Sequence, residues 1–242
     1  MLLWGTAGCG KTTLAATAPG KKLWINFDPR GTTSLQGRDD ILILDLAEER
    51  PEVVTRFRQE DPFGLTKFIA EHEIDTVVFD STTNFADLAT KYAVTQVKGA
   101  SIERPSLQGY GFRNAYMLQA VKNLLRLTGR LNKHMIFIAH EDVPEKTEEG
   151  TVLYITLMLG GKLPEQVPLD LSEVWWISEV NGKRNIAIRP CRMRKPMKTR
   201  MFKTDGEPEF LWKYNPDTQV GDTIDKWYQD WIKAGKKIAL PK

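Results

Sequence analysis

Eight residues near the start of the chain, Gly5-Thr6-Ala7-Gly8-Cys9-Gly10-Lys11-Thr12, set glycines, a lysine and a threonine at the spacing G-x-x-x-x-G-K-[ST]. The chemistry open to such a run is the holding of a phosphate chain. Glycines at 5, 8 and 10 let backbone N–H groups approach anionic oxygens that a Cβ would keep away. Lys11 adds a full positive charge, and Thr12 offers a hydroxyl to the magnesium that bridges two phosphates of a nucleoside triphosphate. Thr13 carries the run into the helix-forming Leu14-Ala15-Ala16, whose first N–H groups and positive dipole end face the same point.

Asp80 is the second candidate. It closes Asp75-Thr76-Val77-Val78-Phe79-Asp80-Ser81, a run in which β-branched residues lead into an acid. A carboxylate at the end of a neighbouring strand completes magnesium binding through water; the structural alternative is an Asp that caps a turn. The histidines, His72, His134 and His140, are scattered without the spacing of a zinc site. The two cysteines, Cys9 and Cys191, give neither a metal motif nor a disulfide framework.

These groups need strands that end together. The apolar runs 2–4, 23–27, 41–44, 77–79 and 135–139 read as buried strands, with a helix expected over 63–71 and helical spacing over 84–97 and 112–129. Residues 98–111, with three glycines and a proline, read as a loop, and the acidic stretch 141–150 as a flexible one. The runs 174–177 and 185–189 flank Asn181-Gly182, the dipeptide of a two-residue hairpin turn. Ile224, Trp227, Tyr228, Trp231 and Ile232 form a helical stripe after the capping candidate Asp222. Strands that alternate with helices and then close in a hairpin predict an α/β fold, a mostly parallel sheet extended by antiparallel strands.

At 242 residues, 41% hydrophobic and 27% charged, the chain can bury its own core, and no apolar stretch reaches membrane-spanning length. The opening strand lacks the pattern of a signal peptide, so the expected location is the cytoplasm. The net charge of +3 hides a local excess: residues 181–203 hold nine Lys or Arg and no acid. Such a run is a solvated face, a nucleic-acid contact, or a source of cations for a neighbour's nucleotide.

In this order of elements the chain resembles the RecA-like branch of P-loop ATPases. The cues are the phosphate loop, a strand ending toward Asp28, Val77-Val78-Phe79-Asp80-Ser81, Phe137-Ile138-Ala139-His140, a Gly-Gly element and basic strands. More closely it looks like the compact phage-encoded nucleotide-binding proteins of that branch, some of which anneal single strands in recombination. The resemblance implies a RecA-like domain over 1–210, a helical tail over 211–242, and ATP and Mg2+ as ligands. It makes Asp28 the water-orienting carboxylate, shorter than the family's Glu and so either slower or working through another water, and sets His140 where the family has its γ-phosphate sensor; a strand-end His satisfied by backbone is the bland alternative. It offers Arg194, Lys195 and Lys198, within 192–198, as cations acting on a neighbour's nucleotide in a ring or filament. It offers Lys98, Arg104, Tyr110, Phe112 and Arg113 as DNA contacts, from basic and stacking side chains in the first of two loops. The second loop, 141–150, holds five acids and one lysine, against the family pattern.

The implied function is ATP-dependent recombination on single-stranded DNA, by annealing or strand exchange, with a weak ATPase as switch. A single-strand binding protein is a candidate partner. A nucleic-acid motor or its loader shares the same core. A small-molecule kinase would need an arginine-rich lid that 141–150 does not supply, and a nucleotide-dependent protein scaffold would suit the acidic loop.

Overall fold

Side chains alternate strictly between two apolar surfaces along the central strands, and this sets the architecture. On β1 (Leu2–Gly5), Leu2 and Trp4 face one core cluster and Leu3 the other. After α1 (Lys11–Ala15), the same division holds on β2 (Lys21–Asn26), where Leu23 and Ile25 oppose Trp24. β3 (Ile41–Asp45) and α2 (Leu65–Glu71) precede β4 (Ile74–Asp80), on which Val77 and Phe79 oppose Val78. Strands buried on both faces are what a parallel sheet between helical layers requires.

The computed structural model describes residues 1–191, 193–203 and 207–241. Beyond β4 come α3 (Thr82–Thr95), α4 (Leu107–Arg130), β5 (His134–His140) and a small hairpin of β6 (Glu145–Lys146) and β7 (Val152–Tyr154). α5 (Leu163–Gln166), β8 (Val174–Val180), β9 (Lys183–Ala187) and β10 (Glu209–Leu211) follow, then the hairpin β11 (Tyr214–Asn215) and β12 (Val220–Gly221), and finally α6 (Ile224–Ala234). The main sheet runs β10-β9-β8-β1-β5-β4-β2-β3. The strands from β8 to β3 in that order are parallel, and β9 and β10 add antiparallel partners at one edge. Register brings Gly5 level with His140 and Asn26 level with Asp80, so the C-terminal strand ends share one rim.

α3 and α4 cover one face with the 3-10 helix Pro51–Arg58; α1 and α6 lie on the other. The 3-10 helix falls between the expected strand 41–44 and the expected helix 63–71, where the sequence pattern predicts no element. It forms because Val53, Val54 and Phe57 are buried, with the Phe57 ring 5.3 to 5.7 Å from those of Phe27, Phe63, Phe79 and Phe85.

Several boundaries differ from expectation. The helix expected from 112 begins at Leu107, because Ser106 caps it by accepting from the Gly109 N–H at 3.0 Å. The last five residues of the expected loop 98–111 are therefore helical. The stretch 141–150, expected as a loop, enters the β6–β7 hairpin. The β8–β9 turn is as read, with positive φ at both Asn181 and Gly182. Thr223, not Asp222, caps α6 by accepting from the Lys226 N–H at 3.0 Å. After 210 the chain is not only helical: Leu211 still pairs with Asn185 in the main sheet, and a hairpin precedes α6.

Candidate nucleotide site

The phosphate loop leaves β1 at Gly5, where a Cβ would stand 2.0 Å from the Ile177 carbonyl oxygen of the adjacent strand. Only glycine fits there. The tip, Thr6 to Gly8, is exposed, Cys9 is buried beneath it, and Gly10 enters α1 at φ 99°. The N–H groups of Gly8, Gly10, Thr12 and Thr13 donate to no described backbone carbonyl, which leaves a row of donors along loop and first turn. Lys11 is 5% exposed and folds over the loop, donating from Nζ to the carbonyls of Gly5 at 3.0 Å and Thr6 at 2.6 Å. Burial pushes its pKa down, and the charges of Cys9, Asp80 and Glu141 work against that shift.

Asp80, at the end of β4, is 3% exposed and accepts the Thr12 hydroxyl at 3.3 Å. Its peptide bond to Ser81 is cis. Burial, reinforced by the carboxylate of Asp28, raises the Asp80 carboxyl to about 6, against the pull of Thr12 and Lys11. A buried acid beside a hydroxyl and short of positive charge is a donor set that fits a hard divalent cation. Thr12 and Asp80 would hold magnesium, and bound there it would neutralise charge on the phosphates.

Two further strand ends complete the rim. Asp28 lies just past β2, placed by the Phe27 N–H, which donates to the Asp80 carbonyl at 2.6 Å. The Asp28 N–H donates to Asn26 Oδ1 at 3.2 Å, and the Arg30 N–H to Asp28 Oδ1 at 3.1 Å. His140 ends β5, its backbone N–H on Thr83 Oγ1 at 2.9 Å. Burial and then the Lys11 charge hold its imidazole below the ordinary 6.5, partly offset by Asp28, so the ring is neutral at neutral pH. A neutral imidazole can still donate one N–H to a phosphate oxygen.

Sequence reasoning passed over Glu141, which it counted with the acidic loop. Its N–H donates to the Gly5 carbonyl at 3.0 Å, the same oxygen that Lys11 uses. Its carboxylate accepts the Trp176 indole N–H at 2.6 Å and acts on both Lys11 and Cys9. The signal available in sequence was its place directly after His140.

The three cations offered to a neighbour part company. Arg194 donates to Glu209 at 2.8 Å and lies 4.4 Å over the Trp176 ring, so it is committed within its own chain. Lys198 donates to the Leu169 carbonyl at 3.1 Å, and its backbone pairs with Val174 at the start of β8, the sheet end opposite the phosphate loop. Lys195 is exposed, and its ammonium has no partner among the described residues. Arg192 lies outside the described residues.

The DNA candidates also divide. Lys98 and Arg104 are exposed, and Tyr110 is 42% exposed. Phe112 is half-buried and stacks on Tyr116 at 6.3 Å. Arg113 is 7% exposed, donates to the Gly160 carbonyl at 3.1 Å and to Asn114 Oδ1, and packs over Tyr110 at 5.2 Å. Its guanidinium is a brace between α4 and the turn after β7, not a free phosphate contact.

A family model described as an AAA domain matches residues 1–210. Among solved structures, the crystal structure of the RadB recombinase superposes with a TM-score of 0.51 at 12% identity, over 89% of this chain and 86% of that one. That likeness bears out the RecA-like fold. No curated protein matches the chain. A family match that takes in the phosphate loop, Asp80, His140 and the sheet up to Phe210 places the chain in the AAA-domain family.

Proposed function

We propose that the protein binds ATP with magnesium, hydrolyses it slowly, and acts on single-stranded DNA in recombination as a homo-oligomer that anneals or exchanges strands. The supporting observation is one continuous connection. β5 ends at His140 in the nucleotide site, and the next residue, Glu141, shares the Gly5 carbonyl with Lys11 before the chain enters the β6–β7 hairpin. Beyond that hairpin the Gly160 carbonyl is held by Arg113, at the start of the helix that carries Tyr110 and follows the segment of Lys98 and Arg104. A change at the γ-phosphate therefore has a short covalent and hydrogen-bonded route to both candidate DNA segments. The structural neighbour, RadB, is a recombinase by name, which agrees with this reading.

Each residue has a defined part. The loop amides and Lys11 bind phosphate oxygens, the ammonium exchanging its loop carbonyls for them. Thr12 and Asp80 hold the cation, Asp28 orients water, and neutral His140 donates to the γ-phosphate and passes its occupancy to the hairpin. Lys195 reaches the nucleotide of an adjoining copy. Differential contact with the γ-phosphate is what lets ATP shift the population of DNA-binding conformations.

The test is anisotropy of a labelled single-stranded oligonucleotide, with and without ATP and magnesium, across a salt series. Salt-sensitive binding that ATP strengthens is the expected result. Absence of binding in every nucleotide state would overturn the DNA assignment. It would favour the second reading, a nucleotide-dependent protein scaffold, which the five acids between Glu141 and Glu149 support.

A further inference from the structure

The residues matched to the family end at 210, yet a side chain beyond that point reaches the phosphate loop. A carbon in the Cβ position of Gly10 would lie 3.1 Å from both Cδ and Nε of Arg184 and 3.2 Å from Cζ3 of Trp212. Arg184 comes from β9, and Trp212 follows β10. Trp212 is fixed: its backbone N–H donates to the Arg184 carbonyl at 2.8 Å and its indole N–H to the Asp222 carbonyl at 2.9 Å. Tyr214 stacks parallel to it, with centroids 5.5 Å apart and ring planes 6° apart. The Arg184 guanidinium lies 5.8 Å over the Trp212 ring, meets Glu179 at 3.5 Å, and keeps a side-chain exposure of 30%.

The loop accounts for the phosphates of a nucleotide, not for its base. A nucleoside leaving the loop past Gly10 meets a planar cation backed by an aromatic ring, the combination suited to stacking on the π-face of a base. We propose that Arg184, backed by Trp212, is the nucleobase wall of this site and takes the purine of a nucleoside triphosphate by stacking. The inference rests on the nucleotide-binding reading above and adds what the loop motif leaves unassigned. Stacking reads the face of a base and not its edge, so adenine and guanine are bound with similar affinity.

Glycine at position 10 acquires a second reason from the same contacts. Besides admitting φ 99°, it leaves room for the Arg184 and Trp212 side chains to close against the loop.

The experiment is calorimetric titration of the full chain, in magnesium, with ATP, GTP and inorganic tripolyphosphate, for wild type, Arg184→Ala and Arg184→Lys. The expected result is roughly tenfold weaker ATP and GTP binding in both variants, with tripolyphosphate unchanged. Lysine keeps the charge and loses the plane, so its failure to rescue assigns the effect to stacking. Trp212→Phe, which keeps an aromatic ring behind the guanidinium, should weaken ATP less than Arg184→Ala. The proposal is overturned if tripolyphosphate weakens in step with ATP and lysine restores both, which would make Arg184 a phosphate contact, or if no ligand is affected. Wild type that binds neither ATP nor tripolyphosphate would sink the nucleotide reading itself, an outcome distinct from wild type that binds both and variants that do not differ.

Discussion

Asp80→Asn should stabilise the metal-free protein while destroying its use of magnesium. The Asp80 carboxyl has its ordinary value of 3.8 when unfolded and about 6 in the folded chain, because burial and Asp28 penalise the anion. Between those values the folded state binds more protons than the unfolded one, so this group's contribution to stability falls as pH rises through the window and is flat above it. A shift of about two units corresponds to about 3 kcal/mol of native-state strain carried by the anion at pH 7.5. Asparagine is nearly isosteric, stays neutral, and can still accept the Thr12 hydroxyl. In a chain of this size the gain amounts to a melting temperature roughly 6 to 12 °C higher. The assay is thermal or urea unfolding in EDTA at pH 7.5 and at pH 4, where the folded carboxyl is protonated and the unfolded one is only about half ionised. The advantage of Asn should be present at the higher pH and mostly gone at the lower. A variant no more stable than wild type at pH 7.5, or an advantage that persists undiminished at pH 4, would refute the electrostatic reasoning. Addition of magnesium and ATP should then raise the wild-type melting temperature and leave the Asn variant nearly unmoved.

The other substitutions separate the remaining roles. Lys11→Ala should melt within a few degrees of wild type yet lose the stabilisation by saturating nucleotide, about 2.7 kcal/mol at a hundredfold excess over Kd; a thermal-shift titration that still moves with ATP would dismiss Lys11 as the phosphate cation. Glu141→Gln keeps an acceptor for Trp176 and removes an anion that acts on Lys11, so ATP should bind several-fold more tightly, and weaker binding by calorimetry would count against the carboxylate's placement. Lys195→Ala should leave ATP affinity intact in the monomer and lower hydrolysis in the assembled state, whereas Lys198→Ala, already tied to Leu169, should not; equal turnover in all three proteins at high concentration would end the trans-acting role.

What sequence reveals here divides by the range over which each feature is determined. The phosphate loop is readable because Gly5, Gly10, Lys11 and Thr12 are required by local backbone geometry and by one ligand, so their spacing carries the whole signal. Asp80 is readable because β-branched residues force a buried strand and the acid ends it. Alternation along β1, β2 and β4 likewise exposes the two-faced sheet, and Asn181-Gly182 its antiparallel edge.

Features made by strand order are a different matter. Glu141 joins the site only because β5 lies beside β1, which lets its N–H reach the Gly5 carbonyl. Trp212 reaches Gly10 only because β8, β9 and β10 step outward from β1 and the residue after β10 stays paired with Arg184, whose side chain lies against the loop. Arg113 shows the limit most plainly. In sequence it is a cation in a glycine-rich segment between aromatic residues, the composition of a nucleic-acid contact. In the folded chain Ser106 starts a helix ahead of it, the helix turns its side chain inward, and the Gly160 carbonyl supplies an acceptor from 47 residues away. A guanidinium buried to 7% exposure on a backbone oxygen holds two segments in a fixed relation, and a phosphate could recruit it only by breaking that hold. Arg113→Ala should therefore lower stability, by about 1.5 to 3 kcal/mol for the charged hydrogen bond lost, and weaken DNA binding without reducing its salt dependence. Arg104→Ala should leave stability unchanged and reduce the salt slope by about one contact. Measured side by side, unfolding curves and salt titrations of the two variants distinguish a brace from a contact; a reduced salt slope with unchanged stability in Arg113→Ala would return that residue to the DNA surface.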